Sequence, residues 1–253
     1  MEIKSTPQLM KGLFKVKDKY YLSPHLIRIV LESDAIQNFK NARLGDNNKI
    51  LLPQYAGAAV ELPSPTRGLK EITNYIRTYT LRALAVEANE MTIDFVAHGT
   101  EGPASSWAIQ CDKGDAIGVL MKEKEKGLIE TASNYILIGD HTALPVISVL
   151  LEQMSNTASG HVILEVYGPE DVLELHRPAK MNLHWIFNKT PGINSQLSKM
   201  LENIGIEHPN ETFVFAATEQ KTNQEIQEFL RSQPIQRTQW NAFSYWKQGV
   251  SER

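Results

Sequence analysis

The hydrophobic rhythm of this chain changes near residue 133, and no other feature constrains its fold as much. Beyond that point short apolar runs alternate with helical stretches. Tyr135-Ile136-Leu137-Ile138-Gly139 reads as a buried strand and is followed by a helical stretch over Ala143 to Met154. Val162 to Tyr167 is the next strand, with a short helix at Glu170 to Leu175. Leu183 to Phe187 is a third, followed by a helix over Asn194 to Asn203 in which Leu197, Met200 and Leu201 share a face. Thr212 to Ala217 precedes a helix over Gln224 to Arg231, and a last strand falls near Gln239 to Trp246. Strands alternating with helices predict a parallel sheet covered on both faces.

Before residue 133 the segments are short, extended and separated by turn chemistry, the pattern of an antiparallel sheet or barrel. Tyr20 to Leu31 alternates loosely and becomes β-branched toward its end. Gly45-Asp46-Asn47-Asn48 is a turn that releases Lys49 to Leu52 as a strand, stopped by Pro53. Pro63, Pro65 and Gly68 mark a second loop. Tyr75 to Leu84 and Met91 to His98 are further strands, with Glu87 to Glu90 as the hairpin loop between them. The expected organisation is a β domain over 1–131 followed by an α/β domain over 132–253.

Composition narrows what such a chain does. The 253 residues are 42% apolar and 22% charged, an ordinary globular balance. With 26 Lys+Arg against 29 Asp+Glu the net charge is −3, which argues against bulk binding to nucleic acid. A single cysteine, Cys111, permits no internal disulfide and cannot hold a four-thiolate iron–sulfur cluster. Redox chemistry would therefore need a borrowed cofactor or a mononuclear metal. The first residues, Met1 to Pro7, lack the apolar core of a signal peptide. The longest strongly apolar stretch, Ala143 to Leu151, is nine residues and contains Pro145, whereas a membrane helix needs about 20. A cytoplasmic protein with no membrane span is expected.

Four constellations could carry chemistry. In Arg77-Thr78-Tyr79-Thr80-Leu81-Arg82 a strand would put Arg77 and Tyr79 on one face. A guanidinium pairs with phosphate and a phenol ring stacks on a planar ligand, although an ordinary edge strand reads the same way. In His98-Gly99-Thr100-Glu101-Gly102-Pro103-Ala104-Ser105-Ser106-Trp107-Ala108 two glycines allow close backbone approach, and Pro103 opens a helix whose first N–H groups suit an anion. The bland alternative is a glycine-rich connection with Trp107 in the core. Gly139-Asp140-His141-Thr142-Ala143-Leu144-Pro145 follows the first α/β strand, where doubly wound folds bind nucleotides. No G-x-G-x-x-G is present there, and His141, with no second histidine at ligand spacing, reads as structural. Finally, in an extended arm Lys122, Lys124 and Lys126 would share one face with Glu123 and Glu125 on the other. A solvated loop of self-compensating charges is the alternative.

Taken together and in this order, the motifs resemble one family. Arg77-Thr78-Tyr79-Thr80 resembles the R-x-Y-S/T flavin motif of ferredoxin-reductase-like flavoproteins. His98 to Ala108 is similar to H-G-x-x-G-P-A-x-x-W-A, and Gly139 to Pro145 to G-D-x-T-A-L-P, both hallmarks of the siderophore-interacting proteins. Tyr245-Trp246-Lys247-Gln248-Gly249, followed by Glu252, resembles their terminal Y-W-R/K-x-G. The resemblance runs from about Tyr20 to the C-terminus.

The resemblance implies a six-stranded antiparallel β-barrel that binds FAD and a Rossmann-like domain that receives NADH or NADPH. Arg77 would meet an FAD phosphate, Tyr79 would pack along the isoalloxazine, and Thr80 would hydrogen-bond the ring. His98 and Gly99 would line the cofactor; Gly102, Ala104, Ser105 and Trp107 would surround its pyrophosphate. Tyr245 and Trp246 would cover the outer flavin face, while Asp140, Thr142, Ala143 and Glu219 would border the nicotinamide nucleotide. Lys49 and Lys247 match positions where the family places cations around an anionic ferric siderophore, and Lys122, Lys124 and Lys126 would extend that basic mouth.

The implied activity is a monomeric ferric-siderophore reductase that needs no metal ligands of its own. A flavin accepts a hydride pair and passes electrons singly to Fe(III), and the ferrous ion leaves its hard oxygen ligands more readily. Two positions depart from the family pattern, Thr218 and Ser244, which stand where glycine is common around the nicotinamide nucleotide; Thr218 would shift the preference toward another donor such as a ferredoxin. Glu170 and Asp171, after the second α/β strand, would repel a ribose 2′-phosphate and favour NADH. A flavoenzyme with another acceptor, such as a quinone, and a non-redox siderophore carrier are the alternatives.

Overall fold

The computed structural model describes residues 9–64, 66–69 and 75–250. The opening Met1 to Pro7 stretch, Pro65 of the second loop and Glu252 of the terminal motif lie outside them. The described residues divide into two compact units, one ending at Lys126 and the other starting at Gly127.

The first unit is an antiparallel sheet of β1 (Leu9–Ser23), β2 (Leu26–Glu32), β3 (Asn47–Leu52), β4 (Tyr75–Thr80), β5 (Ala83–Ala85), β6 (Glu90–Val96) and β7 (Ala116–Lys122), with helix α1 (Pro103–Gln110) before the last strand. The spatial order is β4-β3-β7-β1-β2-β6-β5. β4 and β5 are nearly continuous in sequence yet occupy opposite ends of that order. At the step between them Leu81 N–H bonds Asp46 O beside β3, while Arg82 N–H bonds Thr92 O on β6. The expected strand Tyr75 to Leu84 is thus two pieces that switch edges, and the switch curls the sheet on itself. Counted as one shared strand, β4 and β5 give the six-stranded barrel of the resemblance; counted apart they give seven. Asp94 on β6, buried, anchors the crossing: it takes both Nε and Nη2 of Arg28 at 2.7 Å, and Arg82 Nε lies 3.8 Å away.

The extended reading of Tyr20 to Leu31 needs correction. Pro24 and His25 break it into the ends of two strands, with Ser23 paired to Leu26. Phe14, Ile27, Ile29, Leu31, Ile93, Phe95, Ile117 and Val119 fill the interior from alternate positions of their strands. The lysine run is not an extended arm either. β7 ends at Lys122 and the chain beyond it is irregular, so the period of two that would align the three lysines is lost.

The second unit is a parallel sheet of β8 (Asn134–Gly139), β9 (Ser159–Val166), β10 (Lys180–Phe187), β11 (Thr212–Glu219) and β12 (Trp240–Trp246) in the order β10-β9-β8-β11-β12. Helices α2 (Leu144–Gln153), α3 (Leu197–Ile204) and α4 (Gln220–Ser232) connect the strands. β8 and β11 are buried almost end to end, as a sheet covered on both faces demands. The chain runs outward from β8 to β9 and β10, then returns to the other side for β11 and β12. The strand order therefore reverses between β8 and β11, and the crevice beyond their carboxyl ends is the position where such folds take ligands.

Helix boundaries moved for identifiable reasons. Glu219 accepts N–H bonds from Lys221 (2.5 Å) and Thr222 (3.4 Å), so α4 starts at Gln220 rather than Gln224. Buried Glu165 binds Ser195 Oγ and Gln196 N–H and holds that stretch outside the helix, delaying α3 to Leu197. The helix expected at Glu170 to Leu175 is only a single turn, Pro169–Asp171. Among the described residues no helix is long and apolar enough to cross a membrane.

Candidate functional site

In the first unit, β4 stands at one end of the strand order and pairs with β3 among the described strands. Arg77 pairs across the ladder with Ile50, Thr78 with Lys49, Tyr79 with Asn48 and Thr80 with Asn47. The Tyr79 ring lies 4.4 Å from that of Phe95 on β6, and Phe95 lies 5.6 Å from Trp107 on α1. Phe95 is fully buried and so draws two separate motifs, one on β4 and one on α1, to a common point. Sequence reasoning placed Phe95 in a strand but gave it no part in the site.

The glycine-rich segment is held by one hydroxyl. Ser105 Oγ accepts the His98 N–H at 2.9 Å and donates to Gly99 O at 2.6 Å. Ser105 is fully buried, so any contribution it makes to a ligand comes through its backbone. Gly99 has φ +98°, a conformation L side chains rarely adopt, and open space lies where a Cβ would sit. At Gly102 a Cβ would come within 2.7 Å of the His98 ring. Helix α1 then starts with Gly102 at its cap and Pro103 in its first turn, with no side chain capping the N-terminal amides. Uncapped amides at a helix start attract an anion such as a pyrophosphate.

Next to β4 lies a polar cluster that was only partly foreseen. Arg43 Nη2 bonds buried Asp46 at 3.0 Å and also the carbonyl of Lys126. Lys124 Nζ bonds Asn47 and lies 3.8 Å from Asp46. Lys49 Nζ reaches Thr78 Oγ1 at 3.3 Å. All three lysines of the run are exposed, and Lys124 is the one that lies near a carboxylate. Asn48, opposite Tyr79, is 1% exposed with neither polar atom of its amide partnered. Strand β4, the uncapped helix start, the open Gly99 and the orphaned amide together fit a planar, phosphate-bearing cofactor.

In the second unit the expected nucleotide residues gather at the strand-order reversal, where Gly139 at the end of β8 pairs with Ala217 on β11. Their polar atoms are engaged with one another. Buried Asp140 accepts Thr142 N–H (2.9 Å), Thr142 Oγ1 (2.5 Å), Glu219 N–H (2.9 Å) and the Trp246 indole N–H (2.8 Å). Burial pushes the Asp140 carboxyl upward, and these hydrogen bonds pull against it. Glu219 caps α4 with one oxygen and takes the Gln248 N–H with the other at 3.1 Å. Ala143 is buried against Gly139, where a Cβ would lie 2.5 Å from it. The Trp246 ring rests on Gly192, where a Cβ would come within 2.8 Å. Tyr245 is half-buried and Lys247 exposed at the same chain end.

Thr218 and Ser244, the two departures from the family pattern, are direct partners across β11 and β12. His141 is buried and accepts the Tyr167 N–H at Nε2 (3.2 Å), in keeping with a structural role. Asp171 is fully buried, 3.6 Å from that same nitrogen. It therefore cannot face a ribose phosphate, and the argument for NADH rests on Glu170 alone.

Comparison with known proteins agrees with this geometry. A family model described as the siderophore-interacting FAD-binding domain matches residues 15–123, and one described as siderophore-interacting protein matches residues 132–249. The ferric vibriobactin reductase ViuB of Vibrio cholerae is 30% identical over 244 residues, covering 92% of this chain and 88% of that protein. The chain belongs to the siderophore-interacting protein family. Within this siderophore-interacting protein, the first unit is the FAD-binding domain and FAD is its cofactor. The crystal structure of the siderophore-interacting protein SipS from Aeromonas hydrophila superposes with a TM-score of 0.83 at 32% identity, covering 96% of this chain and 93% of that one. A ferredoxin NADP+ reductase from Neisseria gonorrhoeae, solved with FAD and NADP, has a TM-score of 0.64 at 13% identity over 93% of this chain and 99% of its own. That likeness shows the fold, which is the ferredoxin-reductase-like one implied by the Arg77 to Thr80 motif.

Proposed function

We propose that this protein is a ferric-siderophore reductase that carries electrons from NADH or NADPH through FAD to an Fe(III) chelate, as a cytoplasmic monomer. The observation that carries the proposal is the packing of Tyr79 and Trp107 against Phe95, in tilted ring contacts that unite the flavin-motif strand with an uncapped helix start. Bound FAD supplies the conversion of a two-electron donor into single-electron steps suited to Fe(III).

The chain's own residues bind and orient. Arg77 neutralises a phosphate, and the α1 amides from Ala104 onward, with Gly102 at the cap, receive the pyrophosphate. Tyr79 supports the ring system, Thr80 offers a hydroxyl to its edge, and His98 and Gly99 line the approach. Tyr245 and Trp246 are the aromatic groups for the outer flavin face. Asp140 and Glu219 act on the nicotinamide nucleotide by fixing Thr142, Ala143 and Trp246 in place, since their carboxylates already hold protein donors. Lys49, Lys122, Lys126 and Lys247 supply cations for the chelate, with Lys124 in a lesser role because Asp46 partly neutralises it.

The test is anaerobic. The holoprotein is chemically reduced and mixed with a ferric catecholate or hydroxamate in the presence of a ferrous trap. Flavin reoxidation in step with trap colour is expected; flavin that stays reduced would overturn the proposal. Replacing Lys49, Lys126 and Lys247 with alanine should weaken chelate affinity, most at low salt, and leave FAD bound.

A further inference from the structure

The loop between β10 and α3, residues 188–196, has no part in the flavin and nucleotide readings, yet its tip meets the residues that do. At Gly192 (φ +77°) a Cβ would come within 2.8 Å of Trp246 Cη2 and within 3.2 Å of both Gln248 Oε1 and Glu219 Cγ. Trp246 is thus held on two sides, by Asp140 at its indole N–H and by this loop at the far edge of its ring. Apolar burial does not hold the loop itself. Ile193, beside the tip, is 48% exposed, and Asn194 takes a left-handed φ of 55°.

Hydrogen bonds hold it, and they converge on one side chain. Glu165, near the carboxyl end of β9, is buried. Its Oε1 accepts from Asn188 Nδ2 at 3.1 Å, and its Oε2 accepts from Ser195 Oγ at 2.9 Å and from the Gln196 N–H at 3.1 Å. Asn188 passes the restraint along the loop. Its amide nitrogen also donates to Ile193 O at 3.1 Å, and its amide oxygen accepts from Thr190 N–H at 3.0 Å and Thr190 Oγ1 at 3.1 Å. Both ends of the loop and the residue beside its tip are therefore fixed from a single carboxylate. All three donors to Glu165 are neutral. A buried charge satisfied in this way is costly to assemble, and a fully satisfied polar network specifies one arrangement of the chain it holds.

We propose that Glu165 is a positioning residue that sets the place of the Trp246 ring through the 188–196 loop. Its bearing on the nicotinamide nucleotide rests on the role given to Trp246 under the proposed function; its bearing on the ring does not. Only a carboxylate serves at this position, because three donors face it. A glutamine amide sets an N–H against a donor whichever way it turns.

The test uses the full chain with FAD bound. The Trp246 indole N–H is identified in a proton–nitrogen correlation spectrum by its loss in Trp246→Phe. Glu165→Gln should shift that signal and speed its hydrogen exchange about tenfold, the equivalent of one hydrogen bond, while the Trp240 signal and the flavin absorption stay unchanged. Gly192→Ala crowds the ring directly and should move the same signal. The double variant should fall short of the sum of the two, because both act along one route. The KM for NADH or NADPH in flavin reduction should rise about tenfold in Glu165→Gln with kcat little changed, since a nucleotide that must order its own site binds more weakly. An unmoved Trp246 signal in Glu165→Gln would overturn the proposal, and so would effects that simply add. Ser195→Ala removes one donor at a half-buried position and keeps the test open if Glu165→Gln does not fold. It should move the signal in the same direction by less, and an unmoved signal there counts equally against the proposal. A moved signal with unchanged KM would uphold the positioning of the ring and remove Trp246 from the nucleotide reading instead.

Discussion

The two units treat their polar groups in opposite ways. In the FAD-binding unit the helix start at Gly102 is uncapped, Gly99 faces open space and the Asn48 amide is buried without a partner. In the second unit Asp140, Thr142, Glu219 and Trp246 satisfy one another within a closed hydrogen-bonded set. Buried polar groups without partners cost stability until something satisfies them. The first unit is thus arranged as a receptor for a resident cofactor. The second is complete by itself, an arrangement suited to a nucleotide that binds briefly and leaves.

The sharpest way to break this contrast is Phe95→Ala. It removes the fully buried ring on which Tyr79 and Trp107 rest, and should cost about 3–5 kcal/mol together with most of the bound FAD. Thermal unfolding and flavin absorbance check both parts; an alanine variant that keeps full FAD content would show that the two motifs do not need their shared contact. Asp140→Ala is the matching experiment in the second unit. It strands the Glu219 N–H, the Thr142 N–H and the Trp246 indole, with an expected loss of about 3 kcal/mol and FAD content near that of wild type. A marked loss of FAD in this variant would contradict the separation of roles.

How much of this was legible in the sequence depended on the range of each interaction. The Arg77 to Thr80 strand and the helix opening at Pro103 are local, and both stand where the residue types put them. The parallel sheet was legible because β8 and β11 are continuous apolar runs. The Pro24–His25 turn was marked only by Ser23-Pro24 within a stretch, Tyr20 to Leu31, that is extended in composition on both sides, so the reversal read as one continuous segment. Two of the four donors to Asp140 could not be seen in the sequence because they are remote: Glu219 lies 79 residues away and Trp246 106. The lysine pattern failed because a period of two has meaning only while a strand lasts, and β7 stops at Lys122.

Asn48→Leu sharpens the comparison with a smaller effect of opposite sign. The leucine keeps the volume and removes two unpartnered polar atoms from the barrel interior, so the apoprotein should gain about 1–2 kcal/mol. Chemical denaturation of apoprotein and holoprotein measures it, and a less stable apoprotein would show that the amide already has a partner, such as an internal water.

At neutral pH the smallest effect concerns Cys111, at the end of α1, and it grows only at alkaline pH. The thiol is buried, and burial pushes its pKa up to about 11, against about 8.5 in an unfolded chain. Because the folded value is the higher one, the neutral thiol stabilises the native state fully below about pH 8.5. That contribution is lost as the pH rises toward 11. Wild type should therefore lose stability over this window relative to Cys111→Ala, with parallel curves below it. Thiol-reactive labelling gives an independent reading: at pH 8 it should be slow, limited by opening of the FAD-binding unit, and slower still once FAD occupies the α1 N-terminus at the other end of the same helix. Labelling as fast as a free thiol, indifferent to FAD, would mean that the cofactor does not tighten the unit that is arranged to receive it.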